Sequence, residues 1–354
     1  RLMHMGVGVM KTDFSEELPQ DAVLYDGTTG LESHNKYPLL YARTIYEASR
    51  EAKREMGEKA LLWGRSGYAG SQNYPANWAG DSSASKNNLH AILTGGLNMG
   101  ISGVSFWGFD IGGFYNCDYS GQRVIPEDEE YIRSVQMGLM SPLSRSHGQS
   151  TPREPWVYSE TAQKAFRKIN DLRYRMLPYL YSTGWETTIS GIPMMRAMLL
   201  EFDEIGCEDL DRQYMLGDSI LVAPVLREDG VVDYYLPRGK WTHLLTGETV
   251  EGCGWRRDQY DFFSLPVYVR ENTILPVGSC NLRPEYDYAD GLTLRLYQLA
   301  DGATADRTVC DTEGNVILTV HASRSGDTIS LSLTGRKENI TVQQIGTDCR
   351  LIVE

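Results

Sequence analysis

Val7-Gly8-Val9-Met10-Lys11-Thr12-Asp13-Phe14-Ser15-Glu16 runs from a short apolar segment straight into an aspartate. Four apolar or small residues predict a strand, and its last residues turn polar where the chain leaves it. Outward from this stretch the same unit recurs. A helix is predicted over about 36–56, with Leu40, Ile45, Ala48, Ala52 and Met56 near helical spacing and Gly57 as its stop. Ala60–Trp63 reads as the next strand and ends in Gly64-Arg65-Ser66. Trp78-Ala79-Gly80-Asp81-Ser82 delivers a second aspartate in Gly- and aromatic-rich sequence, and Leu89, Ile92, Leu93 and Leu97 mark a helical face behind it. Gly103–Trp107 is a further strand, followed by Gly108-Phe109-Asp110-Ile111-Gly112-Gly113-Phe114. Pro126 with Glu127–Glu130 opens a helix whose acids face the positive end of its dipole. A strand then leads to Arg145-Ser146-His147-Gly148, and one long helix carries Phe166, Ile169, Leu172, Met176, Leu177 and Leu180.

Strands and helices that alternate imply a parallel sheet. Polar and aromatic residues gathered at the strand ends match a β/α barrel, whose site lies at the C-terminal ends of its strands. Five strand units are legible where a closed barrel has eight. Arg1–Gly6 reads as a helix tail entering a strand, so the chain is expected to be part of something longer, with three strands before Arg1. From about Gly191 the pattern turns to β. Met194–Leu200, Ser219–Val225, Val231–Leu236, Pro266–Arg270, Thr293–Tyr297, Val316–Val320 and Thr328–Leu333 read as strands between Gly, Pro and Asp turns. The expected fold class is α/β: the C-terminal part of a (β/α)8 TIM barrel over 1–190, then all-β sandwich units over 191–276 and 277–354.

Composition narrows the function. The 354 residues are 41% hydrophobic and 23% charged, as in a globular protein. A net charge of −13 without a Lys/Arg block disfavours nucleic acid and anionic membranes and suits a neutral substrate. No apolar run approaches the roughly 20 residues of a membrane span. The six cysteines are scattered and the six histidines show no metal-ligand spacing, so no zinc site or disulfide framework is indicated. Free thiols point to a reducing, cytoplasmic compartment. Gly112-Gly113 lacks the surroundings of a phosphate loop. The acids at Asp118 and Glu127–Glu130 read as solvated helix starts.

Two carboxylates brought to one pocket are what glycosidic bond cleavage requires. Asp13 is the candidate nucleophile and Asp81 the candidate acid/base. Each has a plainer reading: Asp13 as a capping residue after a strand, Asp81 as the N-cap of a helix beginning Ser82-Ser83-Ala84. Lys11 lies two residues before Asp13 and so shares its side of the strand, unless it merely faces solvent. Arg65 either balances nearby acids or donates to sugar hydroxyls. Phe14, Trp78, Trp107 and Phe114 are core or stacking platforms, Trp78 being the first choice as a platform.

The chain resembles glycoside hydrolase family 31, and within it the α-xylosidase type. Lys11-Thr12-Asp13-Phe14 is similar to that type's nucleophile segment, Trp78-x-Gly80-Asp81 to the acid/base segment, and Asp110-Ile111-Gly112-Gly113-Phe114 to a family loop. Arg145-x-His147-Gly148, Pro193–Met198 and Tyr214–Asp218 continue the likeness to about residue 300. The resemblance implies a retaining, exo-acting α-glycoside hydrolase that releases xylose. Its implied catalytic residues are Asp13 and Asp81, with Lys11, Phe14, Arg65, Trp78, Trp107, Asp110, Phe114 and His147 on the substrate. It implies no cofactor and no metal, a small oligosaccharide or α-glycoside as partner, and leaves a homo-oligomer open. An α-glucosidase or transglycosylase of the same family is the near alternative, and a non-catalytic carbohydrate-binding or inactive fragment the distant one. Three departures bear on the substrate: Ser15 replaces a glycine, Gly108-Phe109 replaces a polar pair, and Asp118–Glu129 reads as a lengthened loop.

Overall fold

A computed structural model describes residues 1–117 and 120–354, so Asp118 lies outside the described residues. Strands β1 (Met10–Thr12), β2 (Leu62–Gly64), β3 (Asn77–Trp78) and β4 (Trp107–Gly108) lie side by side and parallel in that order. Met10 sits opposite Leu62, Gly64 opposite Asn77, and Asn77 opposite Trp107. After Phe109 the fourth position resumes as β5 (Asp110–Ile111), which pairs in parallel with β6 (Arg145–Ser146). The chain is therefore a partial β/α barrel. The strands are shorter than the sequence suggests, and the first begins at Met10 rather than Val7.

The outer layer holds α1 (Gly30–Ser33), α2 (Tyr37–Glu55), α3 (Lys86–Ile101), α4 (Asp128–Leu139), α5 (Glu160–Arg175) and α6 (Leu177–Ser190). Leu89, Ile92, Leu93 and Leu97 of α3 are buried as their spacing predicts. Gly96 on the same helix is dictated by the sheet, since a Cβ there would lie 1.6 Å from the Trp107 ring. In α2 the buried stripe is Pro38, Ala42, Ser49 and Lys53, while Leu40 and Met56 are exposed. Small residues let this helix approach the short strands closely, and Lys53 is accommodated by its ion pair with Glu58. The apolar spacing thus located the helix but not the face it buries. The expected long helix over 166–180 is two helices. Met176 closes α5 and Pro178, lacking an N–H, sits in the first turn of α6. Ile169, Met176 and Leu180 nevertheless share one core.

The β half begins with β7 (Met195–Arg196). The predicted strand over 194–200 stops there and becomes a 3₁₀ turn over Met198–Leu200. Then follow β8 (Tyr214–Leu216), β9 (Ile220–Val222), β10 (Val231–Leu236), β11 (Lys240–His243), β12 (Thr249–Glu251), β13 (Gly254–Gln259) and β14 (Val267–Arg270). They form a six-stranded sheet in the order β12-β11-β14-β9-β8-β7, with β10 paired to β13. Its core is continuous with that under α3–α6. A second core lies between β15 (Thr273–Val277), β16 (Thr293–Tyr297) and β20 (Thr341–Ile345) on one side and β17 (Thr304–Cys310), β18 (Val316–Ser325), β19 (Thr328–Gly335) and β21 (Arg350–Val353) on the other. The boundary at 276/277 falls inside β15, which pairs with β16 along its length. Among the described residues, no helix is long and apolar enough to cross a membrane.

Candidate active site

Alternation along β1 fixes the first half of the site. Thr12 is buried and donates to the Trp63 carbonyl (3.4 Å), which turns Lys11 and Asp13 to the other side. There Lys11 Nζ lies 3.7 Å from Asp13 Oδ2. The backbone then bends sharply, with Phe14 at φ 60° and Ser15 at φ 75°. This turn brings the Phe14 N–H onto Asp13 Oδ1 at 2.9 Å.

Arg65, at the end of β2, ties the two aspartates together. Its Nη1 donates to Asp13 Oδ1 at 2.9 Å and to Asp81 Oδ1 at 3.5 Å. The separation of those two oxygens therefore cannot exceed the sum of the two distances. Its opposite edge, Nε and Nη2, is held by Glu16 Oε1, with Nε at 2.8 Å. Burial of the guanidinium disfavours its charge, but Glu16, Asp13 and Asp81 outweigh that and raise its pKa. Arg65 is a fixed cation.

Asp81 does not cap the helix that follows it. α3 starts only at Lys86, behind Ser85. The Asp81 loop is gripped instead by the loop after β5: Tyr115 N–H donates to Ser82 O (3.2 Å), and Asn116 Oδ1 accepts from Ala84 N–H (3.0 Å). Gly113, at φ +77°, sits where a Cβ would come within 2.5 Å of Ala84 N. Gly113 is thus a packing device between two loops, while Gly112 makes room for the Arg153 side chain, 2.6 Å from where its Cβ would lie.

The floor is aromatic and charged. Trp78 is buried beneath Lys11, whose Nζ is 4.1 Å from the ring centroid, and Arg145 stacks over Trp63 at 5.0 Å. Asp110, 1% exposed, is ion-paired through Oδ1 with Arg145. Burial raises its pKa, with Arg145 pulling the other way. His147 stacks on Phe114 at 5.6 Å between centroids. Burial also lowers the His147 pKa, partly offset by Asp110, so a neutral imidazole faces the site at neutral pH. Asp110 Oδ2, Trp63 Nε1, Trp78 Nε1 and Arg145 Nε are buried without a hydrogen-bond partner among the described residues. Donors and acceptors of this kind, beside aromatic faces, suit a polyhydroxylated ligand.

Nine of the ten residues singled out in the sequence fall in this one network of contacts and charges, with Trp78 and Asp110 buried within it. Trp107 does not. Its ring points the other way, into the layer between β4 and α3 against Gly96, so it is core. The Gly108-Phe109 departure adjoins the site, since Gly108 is the sheet partner of Trp78, but its second side chain turns away. Phe109 is buried in the main core, and a Cβ on Gly108 would lie 2.6 Å from Leu143 O. Glu16, Trp63, Ser66 and Arg145 were not singled out. Arg145 had a signal, since it precedes His147 by two residues and shares its side of the strand. Among the described residues, no three His, Cys, Asp or Glu side chains converge to hold a metal ion.

Comparison with known proteins gives matches to both the barrel part and the β parts of the chain. Residues 1–183 match the glycosyl hydrolases family 31 TIM-barrel domain, and residues 191–275 match the glycosyl hydrolase family 31 C-terminal domain. Residues 287–351 match the C-terminal domain of alpha-xylosidase YicI. An alpha-xylosidase of Emericella nidulans is 35% identical over 83% of this chain and 38% of its own length. Alpha-xylosidase XylQ of Lactiplantibacillus pentosus is 33% identical over 96% of this chain and 47% of its own. The chain thus spans less than half the length of these relatives. The cycloalternan-forming enzyme of Listeria monocytogenes, solved with a pentasaccharide substrate, superposes with a TM-score of 0.81 at 28% identity, over 92% of this chain and 32% of that one.

Proposed function

This chain belongs to glycosyl hydrolase family 31, and we propose that the full polypeptide carrying it is a retaining, exo-acting α-glycoside hydrolase that releases α-linked xylose from a non-reducing end. The observation that carries this reading is the Arg65 bridge. By holding Asp13 Oδ1 and Asp81 Oδ1 on one nitrogen, it brings two carboxylates to one place, as cleavage of a glycosidic bond between them requires.

In the first step Asp13 Oδ2 attacks C1 while the C1–O bond breaks, and Asp81 gives its proton to the departing oxygen. A glycosyl ester on Asp13 results. In the second step Asp81, now a carboxylate, takes a proton from water as that water attacks C1 and frees Asp13. Arg65 balances whichever of the two is charged, Asp13 before the first step and Asp81 after it. Both protons and the nucleophile come from side chains or water, so the reaction needs no cofactor. Asp110, His147 and Arg145 would hold sugar hydroxyls, with Trp78 beneath and Phe14 and Phe114 at the rim. The organisation proposed is residues 1–190 as barrel, then proximal and distal β units, with β15 counted in the distal one. Six free thiols favour a reducing, cytoplasmic setting.

Lys11 supports xylose as the sugar. Its ammonium lies over Trp78 and beside Asp13, on the floor, where its bulk would crowd a C6 hydroxymethyl group. Aryl α-xyloside and aryl α-glucoside turnover by the full polypeptide should favour the xyloside. Lys11→Ala should lower that preference by about tenfold, the size of a small change in pocket fit. A ratio unmoved by the substitution would remove Lys11 as the determinant. A wild-type preference for glucoside would keep the mechanism and replace the substrate.

A further inference from the structure

We propose that Ser15 and Ser66 form a latch that positions the nucleophile, a role that rests on the reading of Asp13 given above. Asp13 Oδ1 already accepts two hydrogen bonds, from Phe14 N–H and from Arg65 Nη1, each at 2.9 Å. Oδ2, which among the described residues meets Lys11 Nζ at 3.7 Å, is the oxygen left free to attack. Which oxygen attacks therefore depends on two donors keeping their places relative to each other. One comes from the turn after β1 and the other from the end of β2.

The Phe14 N–H can reach back to the preceding side chain because the backbone turns at once. Phe14 and Ser15 are consecutive left-handed residues at φ 60° and 75°, a conformation that a Cβ disfavours and glycine adopts freely. Serine at position 15 supplies something glycine cannot. Its Oγ is hydrogen-bonded to Ser66 Oγ, and Ser66 Oγ in turn donates to Phe14 O at 2.9 Å. Proton counting fixes the direction. Ser66 has one hydroxyl proton, engaged by Phe14 O, so Ser15 must be the donor to Ser66.

The resulting chain, Ser15 Oγ–H to Ser66 Oγ–H to Phe14 O, fastens the strained turn to the residue next to Arg65. The Arg65 guanidinium also stacks over the Phe14 ring at 4.8 Å. Both donors on Oδ1 are thus referenced to one another through the latch. Without it, the turn is tied to the end of β2 through the Arg65 side chain, by its contacts to Glu16 and Phe14, and the carboxylate gains freedom to rotate and exchange its oxygens. Neither serine touches substrate in this scheme; each acts through Asp13.

The test isolates the nucleophilic step. The full polypeptide is treated with 5-fluoro-α-xylosyl fluoride and with its glucosyl counterpart, and labelling is followed by intact mass. In this reaction the C1–F bond breaks, fluoride leaves with the electron pair, and the Asp13 oxygen forms the new C1–O bond. Fluoride departs without a proton from Asp81, so acid catalysis does not enter. Ser15→Gly and Ser66→Ala should each slow the saturated labelling rate by about ten- to a hundredfold, as loss of alignment does, with the half-saturating concentration little changed. Ser66→Thr, which keeps the hydroxyl, should stay within about twofold of wild type. Ser15→Gly is the decisive variant, because glycine takes φ 75° without strain and the fold is kept whatever Ser66→Ala does. If Ser15→Gly labels as fast as wild type, the latch is wrong. If wild type is labelled by neither fluoride, the nucleophile reading fails and the latch falls with it.

Discussion

Replacing Asp13 by alanine is expected to lower aryl α-glycoside turnover by the full polypeptide roughly 10⁴-fold or more, the scale of losing a covalent nucleophile. No neighbour can take its place. Glu16, three residues on, has its Oε1 fixed on the far edge of Arg65, and Asp110 is buried on Arg145. The variant leaves a gap on the face opposite the leaving group, and a small anion can enter it. Added azide should therefore restore part of the rate and give a β-glycosyl azide from an α-glycoside, since one displacement inverts the anomeric centre. Product analysis by NMR reads this directly. Unchanged turnover in Asp13→Ala would show that another group attacks.

Asp81→Ala should behave differently in a way that identifies its role. For a sugar leaving group, which needs protonation, the loss should be about 10²–10⁴-fold. For a nitrophenolate-type leaving group the first step should be nearly untouched. The second step then becomes limiting, because no base remains to take a proton from water, and a glycosyl ester should accumulate on Asp13. Azide needs no base, so it should accelerate this step and yield an α-glycosyl azide by double displacement. The two alanine variants thus give azides of opposite configuration. The same configuration from both, or an equal loss for good and poor leaving groups, would overturn the assignment.

Much of this was legible in the sequence because it depends on local order. Residue alternation in a strand put Lys11 and Asp13 on one side, and helical spacing placed the buried face of α3. What was not legible depends on where a side chain goes once two elements meet. Trp107 sits at a strand end like Trp78, yet its ring fills the space that Gly96 leaves open on α3. That complementarity lies across the sheet, and no local pattern reports it. The face of α2 was misjudged for the same reason: close approach to short strands favours Ala42 and Ser49 over the larger Leu40. Pro178 could have been read as a break, but the apolar residues on either side keep helical spacing through it and mask the interruption. Glu16 escaped notice because its part is played entirely through Arg65, a residue distant in sequence. The Asp81 loop offers the converse case. Its helix-cap reading was locally sound and failed only because α3 begins later, at Lys86.

The central claim is that an α-glycoside is cleaved by two displacements through an ester on Asp13. The anomer released first tests it most directly. The full polypeptide is given an aryl α-xyloside, and the anomeric protons are followed by NMR before mutarotation mixes them. Retention predicts α-xylose as the first product, with β-xylose appearing only as the two equilibrate. β-Xylose released first would mean a single displacement by water, and would contradict both the ester and the role given to Asp13.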